Sequence, residues 1–341
     1  MKGSGTILFF MLVSRFSSFA QDPEFSQYYS APLYLNPAFA GTTPDHRFIA
    51  NYRNQWPNIA NGYQTTAFSY DYNLYQANSG IGFLATLDKA GTAGMKSSQF
   101  NFLYSYKVNV SNKWVIATGL NFGYAFRSID LNKLIFGDQL QFDADAAIPS
   151  DDPALYNLGM SHYFDFKAGL LAYNKSFWLG FAASHINNPN RSLLNDEAEL
   201  PLKATIHGGV RIPLYWGPFR KDRISVLSPS FVYKHQGEFD QLDVGFYFLY
   251  DPIVLGLWYR GIPIQQNVKD NISQDAVVVI LGFNLERIEL TYGYDFTVSE
   301  LGPISGGSHE LALKYKLAIN MKNKTKKKEK FIPCPTFMHK L

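Results

Sequence analysis

Apolar and polar residues alternate with a period of two through long stretches of this 341-residue chain. Phe100, Phe102, Tyr104 and Tyr106 alternate with Asn101, Leu103, Ser105 and Lys107. From Trp114 to Phe126 one face reads Trp, Ile, Thr, Leu, Phe, Tyr, Phe; the other holds Gly119, Asn121, Gly123, Ala125 and Arg127. Ile288 to Phe296 and Leu311 to Ile319 repeat the pattern. Successive strand side chains point to opposite faces, so each segment has one oily and one polar side. The segments run about 9–14 residues, against about 5–6 for strands in soluble sheets and about 9–11 for a tilted membrane strand. Aromatics near segment ends (Tyr104, Tyr106, Trp114, Phe126, Tyr247, Tyr250, Trp258, Tyr259) suggest interfacial girdles.

Strands are expected at 46–53, 62–73, 79–88, 95–108, 113–127, 162–173, 176–185, 202–214, 224–235, 240–250, 253–260, 276–284, 287–297 and 308–319. The last but two is the weakest, because Val277 to Leu281 is apolar on both faces. Alternate connections (74–78, 109–112, 174–175, 215–223, 251–252, 285–286) have two to five residues, except 215–223, which contains Gly217 and Pro218. Most of the others are long, chiefly 128–161, 185–201 and 261–275. Short turns on one side and long loops on the other mark an outer-membrane barrel. Lipid forces closure, because an open edge leaves backbone groups unpaired. The expected fold is all-β: a closed antiparallel transmembrane β-barrel of about 14 strands.

Composition agrees. Aromatics are 16% and charged residues 17%, against roughly 25% charged in soluble domains, yet mean hydropathy is slightly negative at −0.14. That combination excludes a bundle of transmembrane helices. The single cysteine excludes an internal disulfide framework. Lys2, the apolar run Ile7 to Val13 and Ser18-Phe19-Ala20 read as a signal peptide cut after Ala20. The chain then divides into a leader (1–20), an N-terminal plug segment (21–44), the barrel (45–320) and a basic tail (321–341). Seven of the lysines lie in 322–341, and the chain between leader and tail is acidic overall. The basic pI therefore implies no nucleic-acid partner.

With the oily face on lipid, the other face lines the lumen. It would carry Lys107, Arg127, Asp165, Lys167, Lys203, His207, Arg211, Asp243, Arg260, Arg287, Glu289, Asp295, Glu310, Lys314 and Lys316. Mixed charges in a confined space pair with one another, so salt-bridged lumen packing is expected. Gly82, Gly119, Gly123, Gly169, Gly208, Gly245 and Gly293 would face inward and make room for bulk. Residues 21–43, rich in Pro, Asn and Tyr and without alternation, are the candidate for that bulk, seated in the periplasmic mouth.

Several blocks resemble the PorP/SprF outer-membrane proteins of the Bacteroidetes type IX secretion and gliding systems. They are Gln21-Asp22-Pro23-Glu24-Phe25-Ser26-Gln27-Tyr28-Tyr29, Asn36-Pro37-Ala38-Phe39-Ala40-Gly41, Tyr52 to Pro57, and Ser69-Tyr70-Asp71. His207-Gly208-Gly209, Gly256 to Gly261 and Ser305 to Glu310 resemble later blocks. The resemblance spans Gln21 to about Tyr315. It implies a barrel without chemistry of its own that supports secretion or surface retention of adhesins carrying a C-terminal sorting domain. It also implies contact with periplasmic motor or peptidoglycan-linked components.

The seven histidines are scattered, with no metal-binding spacing. Asp138, Asp143, Asp145, Asp151 and Asp152 match no EF-hand and read as a solvated acidic loop. Ser184-His185 and Ser308-His309 are adjacent in strands and face opposite sides, so neither pairs as nucleophile and base. No enzyme activity and no cofactor are expected. The tail holds Lys326, Lys327 and Lys328, then Phe331, Cys334 and Phe337. It reads either as a disordered basic segment or as a periplasmic docking peptide with lysines for attraction and phenylalanines as anchors. Expected partners are outer-membrane lipids, an adhesin held by the long loops, and periplasmic proteins. The rival reading is a transporter for hydrophobic solutes, which would need an apolar lumen.

Overall fold

The computed structural model describes residues 22–44, 46–59, 62–91, 94–139, 150–152, 159–194, 196–215, 225–266, 272–285, 287–298 and 302–317. The leader, and the tail with Lys326, Lys327, Lys328, Phe331, Cys334 and Phe337, lie outside them.

The strands are β1 (His46–Gln55), β2 (Tyr63–Leu74), β3 (Ser79–Ala90), β4 (Met95–Asn109), β5 (Val115–Ser128), β6 (Ser161–Tyr173), β7 (Phe177–Ser184), β8 (Lys203–Val210), β9 (Ile212–Pro213), β10 (Ser225–Gln236), β11 (Phe239–Tyr250), β12 (Ile253–Gln266), β13 (Ile272–Leu285), β14 (Ile288–Thr297) and β15 (Ser308–Leu317). β8 and β9 both pair with β10 in one register, interrupted only at Val210 and Arg211, so they act as one strand. With those two counted as one, each strand pairs antiparallel with its neighbours in sequence, and β1 pairs with β15 from His46↔Leu317 to Gln55↔Ser308. That last pairing closes the ring. The result is a closed 14-stranded antiparallel barrel. No helix among the described residues is long and apolar enough to cross a membrane.

Alternation becomes a two-faced wall. Phe102 and Phe122 are 54% and 52% exposed, whereas Leu103 and Asn121 beside them are at most 1% exposed. An oily belt of this extent on a water-soluble monomer would be exceptional; in a bilayer it meets acyl chains.

Two expectations change. The loop placed at 261–275 is mostly strand: β12 runs to Gln266, β13 begins at Ile272, and Gly261 and Ile262 pair with Gln274 and Ser273. Register shifts flank that pair, and the second, between Ile262 and Gln266, spans Pro263 in the sequence; proline within sheets is confined to edges and bulges, which interrupt alternation. β13 is apolar on both faces because Val278 and Ile280 point inward into an apolar cluster while Leu281 and Phe283 point out.

Candidate functional site

The lumen is occupied by the chain's own N-terminal residues. After Asp22 the chain forms short turns at Tyr28–Ser30, Pro32–Leu35 (α1) and Pro37–Phe39. Proline opens the latter two, where its missing N–H costs nothing. Asn36 makes the Asn36-to-Gly41 block a joint. Its side chain accepts from Ala38 N–H and donates to Leu170 O, Phe181 O and His207 Nε2, and so touches β6, β7 and β8 together. His207 also stacks on Phe39 at 5.3 Å.

The wall is thinned to admit this block. A Cβ on Gly119 would lie 2.3 Å from Ala38 N, and one on Gly169 would lie 2.0 Å from Asn36 Oδ1. Gly41 itself has φ +62, the left-handed turn that leads the chain towards β1. Its N–H donates to Asp71, which is clamped by Arg47 at 2.6 Å.

Above the joint, Tyr28 and Tyr29 meet Trp178, Tyr247 and Trp258 at centroid distances of 5.4–6.3 Å, mostly edge to face. Each such pair contributes roughly 0.5–1.5 kcal/mol beyond area burial. Tyr247 and Trp258 are 4% and 1% exposed. The expectation that they belong to an interfacial girdle is therefore wrong: they stand on the inward register, behind glycines that leave space for large rings.

Ion pairs bind the segment on two sides. Arg53 donates to Asp295 at 2.8 Å and to Glu310 at 3.1 Å. Arg260 donates to Asp243 and Asp295. Ser26 sits among them, donating its hydroxyl to Asp295 and its N–H to Glu310. On the other side His185 lies between Asp22 (2.8 Å) and Asp165 (2.9 Å), and Lys203 and Lys234 reach Glu24. Burial opposes charge on Asp22, but His185 and Lys203 outweigh it and hold the carboxyl below its ordinary range. Burial likewise opposes charge on Glu24, and Lys234 and Lys203 hold it low. Burial opposes the His185 cation too, yet Asp22 and Asp165 raise its pKa above 6.5.

The remaining lumen residues find varied partners. Lys107 donates to Gly41 O and Asn73, and Glu289 holds Lys314 at 2.7 Å. Arg127 departs from the expected pairing: it donates to Met95 Sδ at 2.6 Å and reaches no carboxylate among the described residues. Gly208 faces outward, towards Leu179 and Phe231, and Gly209 takes the inward place beside Trp178; His207 and its neighbour cannot both face in. The segment runs from one end of the barrel towards the other. Its start at Asp22 meets His185 and Lys203 beside the 185–202 connection, and its end at Gly41 lies beside Tyr72 and Asn73 near the β2–β3 turn. Sequence reasoning missed the roles of Asp22, Glu24 and Ser26, because His185, Lys203 and Asp295, which they meet, lie more than 160 residues away.

A cavity of about 700 Å³ opens above the segment. Asp22, Pro23, Glu24 and Tyr34 form its floor, and Arg53, Asp88, Arg127, Tyr163, Lys167 and Arg191 are among its walls. No group of three or more His, Cys, Asp and Glu side chains among the described residues is placed to hold a metal ion.

The toluene transporter TodX of P. putida superposes with a TM-score of 0.46 at 10% identity, over 83% of this chain and 93% of that one. The Ralstonia pickettii toluene transporter TbuX gives 0.44 at 9%, over 85% and 94%. CdiB from Acinetobacter baumannii gives 0.42 at 7%, over 80% and 60%. No curated protein matches the chain in sequence. The family model described as type IX secretion system membrane protein PorP/SprF matches residues 17–315. The chain belongs to the PorP/SprF family of type IX secretion membrane proteins.

Proposed function

We propose that this barrel is a non-enzymatic accessory of type IX secretion that supports export or surface attachment of adhesins with a C-terminal sorting domain. The observation that supports it most is the filled lumen. Residues 22–44 occupy the interior, tied by Asn36 to three strands and by Ser26 to Asp295 and Glu310. A wall built to hold its own peptide with ion pairs suits a docking platform better than an open pore. In this reading the segment is a plug, the long loops at 129–160 and 185–202 hold the exported protein, and the tail engages periplasmic motor or peptidoglycan-linked proteins. The lining of Asp22, Glu24, Lys167, His185 and Arg53 argues against a path for hydrophobic solutes.

Deleting the gene, then measuring adhesin display on the cell surface with hydrophobic-solute uptake as control, tests the proposal. Lost display with normal uptake supports it. Lost uptake with normal display refutes it.

A further inference from the structure

Within the lumen, most cations have a carboxylate. Arg47 holds Asp71, Arg53 holds Asp295 and Glu310, Lys203 and Lys234 hold Glu24, and Lys314 holds Glu289. Two that have no carboxylate at ion-pair distance among the described residues, Arg127 and Lys167, open onto the same 700 Å³ cavity. Arg127 contacts Met95 Sδ, and Lys167 lies over the Tyr34 ring at 5.3 Å. The carboxylates facing them are engaged elsewhere: Asp22 and Asp165 bond His185, and Asp88 accepts from Thr65 at 2.6 Å. Arg191 adds a second guanidinium whose charge acts on Arg127. Asp22 and Asp165 act on Lys167, and Asp88 acts on Arg127, from beyond ion-pair distance; cations compensated only in part are costly inside a wall of protein, and a bound anion would complete the compensation.

The rest of the lining narrows the ligand. Trp56 and Tyr63 pack edge to face at 5.5 Å on one wall, and Tyr163 lies on another. Trp56 is held at φ +57 at the turn after β1, where its carbonyl accepts from Ile59 N–H, a conformation uncommon for a bulky residue. Asp88, Gln55, Gln99 and Thr86 supply acceptors and donors nearby. A polyanion would set further negative charge against Asp88; a ligand with one carboxylate and N–H donors can place a donor on Asp88 instead. Pockets of about 300–1,000 Å³ take ligands of drug-like size, which corresponds to a few peptide residues.

We propose that the cavity is a receptor site for a peptide bearing a single carboxylate, with the Arg127 guanidinium as its clamp, Lys167 as the second cation, and Trp56, Tyr63 and Tyr163 as the side-chain walls. Arg suits this because its planar fork matches a carboxylate with two parallel hydrogen bonds. The choice of a peptide over another carboxylate rests on the secretion reading above; the carboxylate site does not.

The test uses the full mature chain in detergent micelles and the acetylated tetrapeptide Gly-Ser-Tyr-Gly, as free acid and as carboxamide, titrated by calorimetry. The free acid should bind about tenfold or more tightly than the amide, as a charge-assisted bond predicts, and the preference should shrink with salt. Arg127→Gln should abolish the preference, and Lys167→Met should reduce it. Equal binding of acid and amide, binding of neither, or a preference kept in Arg127→Gln would overturn the site. The acid–amide comparison needs no variant, so misfolding of Arg127→Gln cannot hide the answer. Tighter binding of trigalacturonate than of the peptide would overturn the peptide assignment. An acid preference in a protein whose loss leaves adhesin display normal sinks the secretion reading and keeps the site. Lost display with no acid preference sinks the site alone.

Discussion

Arg53 of β1 and Asp295 of β14 meet at 2.8 Å inside the barrel, each side chain 3% exposed, and the Ser26 hydroxyl donates to the same carboxylate oxygen. β14 and β1 flank β15, the strand whose pairing with β1 closes the ring, and β15 contributes Glu310 to the same cluster. Closure of the wall and seating of the N-terminal segment thus share one set of charges.

Arg53→Gln leaves Asp295 and Glu310 facing each other with less counter-charge. Breaking a buried pair from one side typically costs about 3–5 kcal/mol. The urea midpoint of the protein refolded in lipid vesicles should fall accordingly. Asp295→Asn added to Arg53→Gln should cost less than the two single changes summed, because the residues share one network. Strict additivity would mean the pair carries no coupling.

Gly119→Val drives a side chain into the N-terminal segment, because a Cβ at that position would lie 2.3 Å from Ala38 N. Overpacking of this kind costs about 1–3 kcal/mol. The segment should yield before the wall, since the Gly119 backbone is fixed by pairing to Ser105 and Gly169. Limited proteolysis should then cleave within residues 22–44 while the barrel keeps its resistance to unfolding in detergent. Unchanged protection would place the segment elsewhere.

The Asp22–His185 contact makes docking of the segment depend on pH. The pKa of His185 is raised above 6.5, so its contribution is complete below that value and is lost as pH rises through the higher folded-state value. The pKa of Asp22 is depressed, so its contribution is present above 3.8 and is lost as pH falls through the lower folded-state value. Docking should be tightest between these ordinary values and should loosen on the alkaline side. Hydrogen exchange at residues 22–31, corrected for the intrinsic rate, measures this. His185→Asn should remove the alkaline dependence, and a profile unchanged by that substitution would reject the contact.

Removing residues 322–341 should leave the barrel inserted and weaken its capture of periplasmic partners, read by co-purification from crosslinked cells. Equal recovery with and without the tail would end the docking-peptide proposal.

The wall was legible because lipid and lumen impose a period of two on every strand, so Phe102 and Leu103 separate by position alone even though both are apolar. Aromatic type did not reveal its face. Trp258 and Tyr259 are neighbours; period two puts Trp258 on the inward face with Arg260, and the space left by Gly245, whose added Cβ would lie 2.5 Å from the Trp258 ring, lets the large ring fit there. The segment's charges were less legible still, since Glu24 finds Lys203 and Lys234 only after eight or more strands have closed around it. Lumen charge could be read as a class, and its pairing could not.

Lipid contact of the outer face, with protein contact of the inner one, is tested most directly by quenching with brominated acyl chains. The chain has 5 Trp. One reporter keeps Trp258 alone, with the other four replaced by Phe; a second replaces all five and adds Phe122→Trp. Phe122 is 52% exposed and Trp258 is 1% exposed. Brominated lipid should quench the reporter at 122 strongly and leave Trp258 nearly unchanged. Equal quenching of both, or stronger quenching of Trp258, would contradict the account.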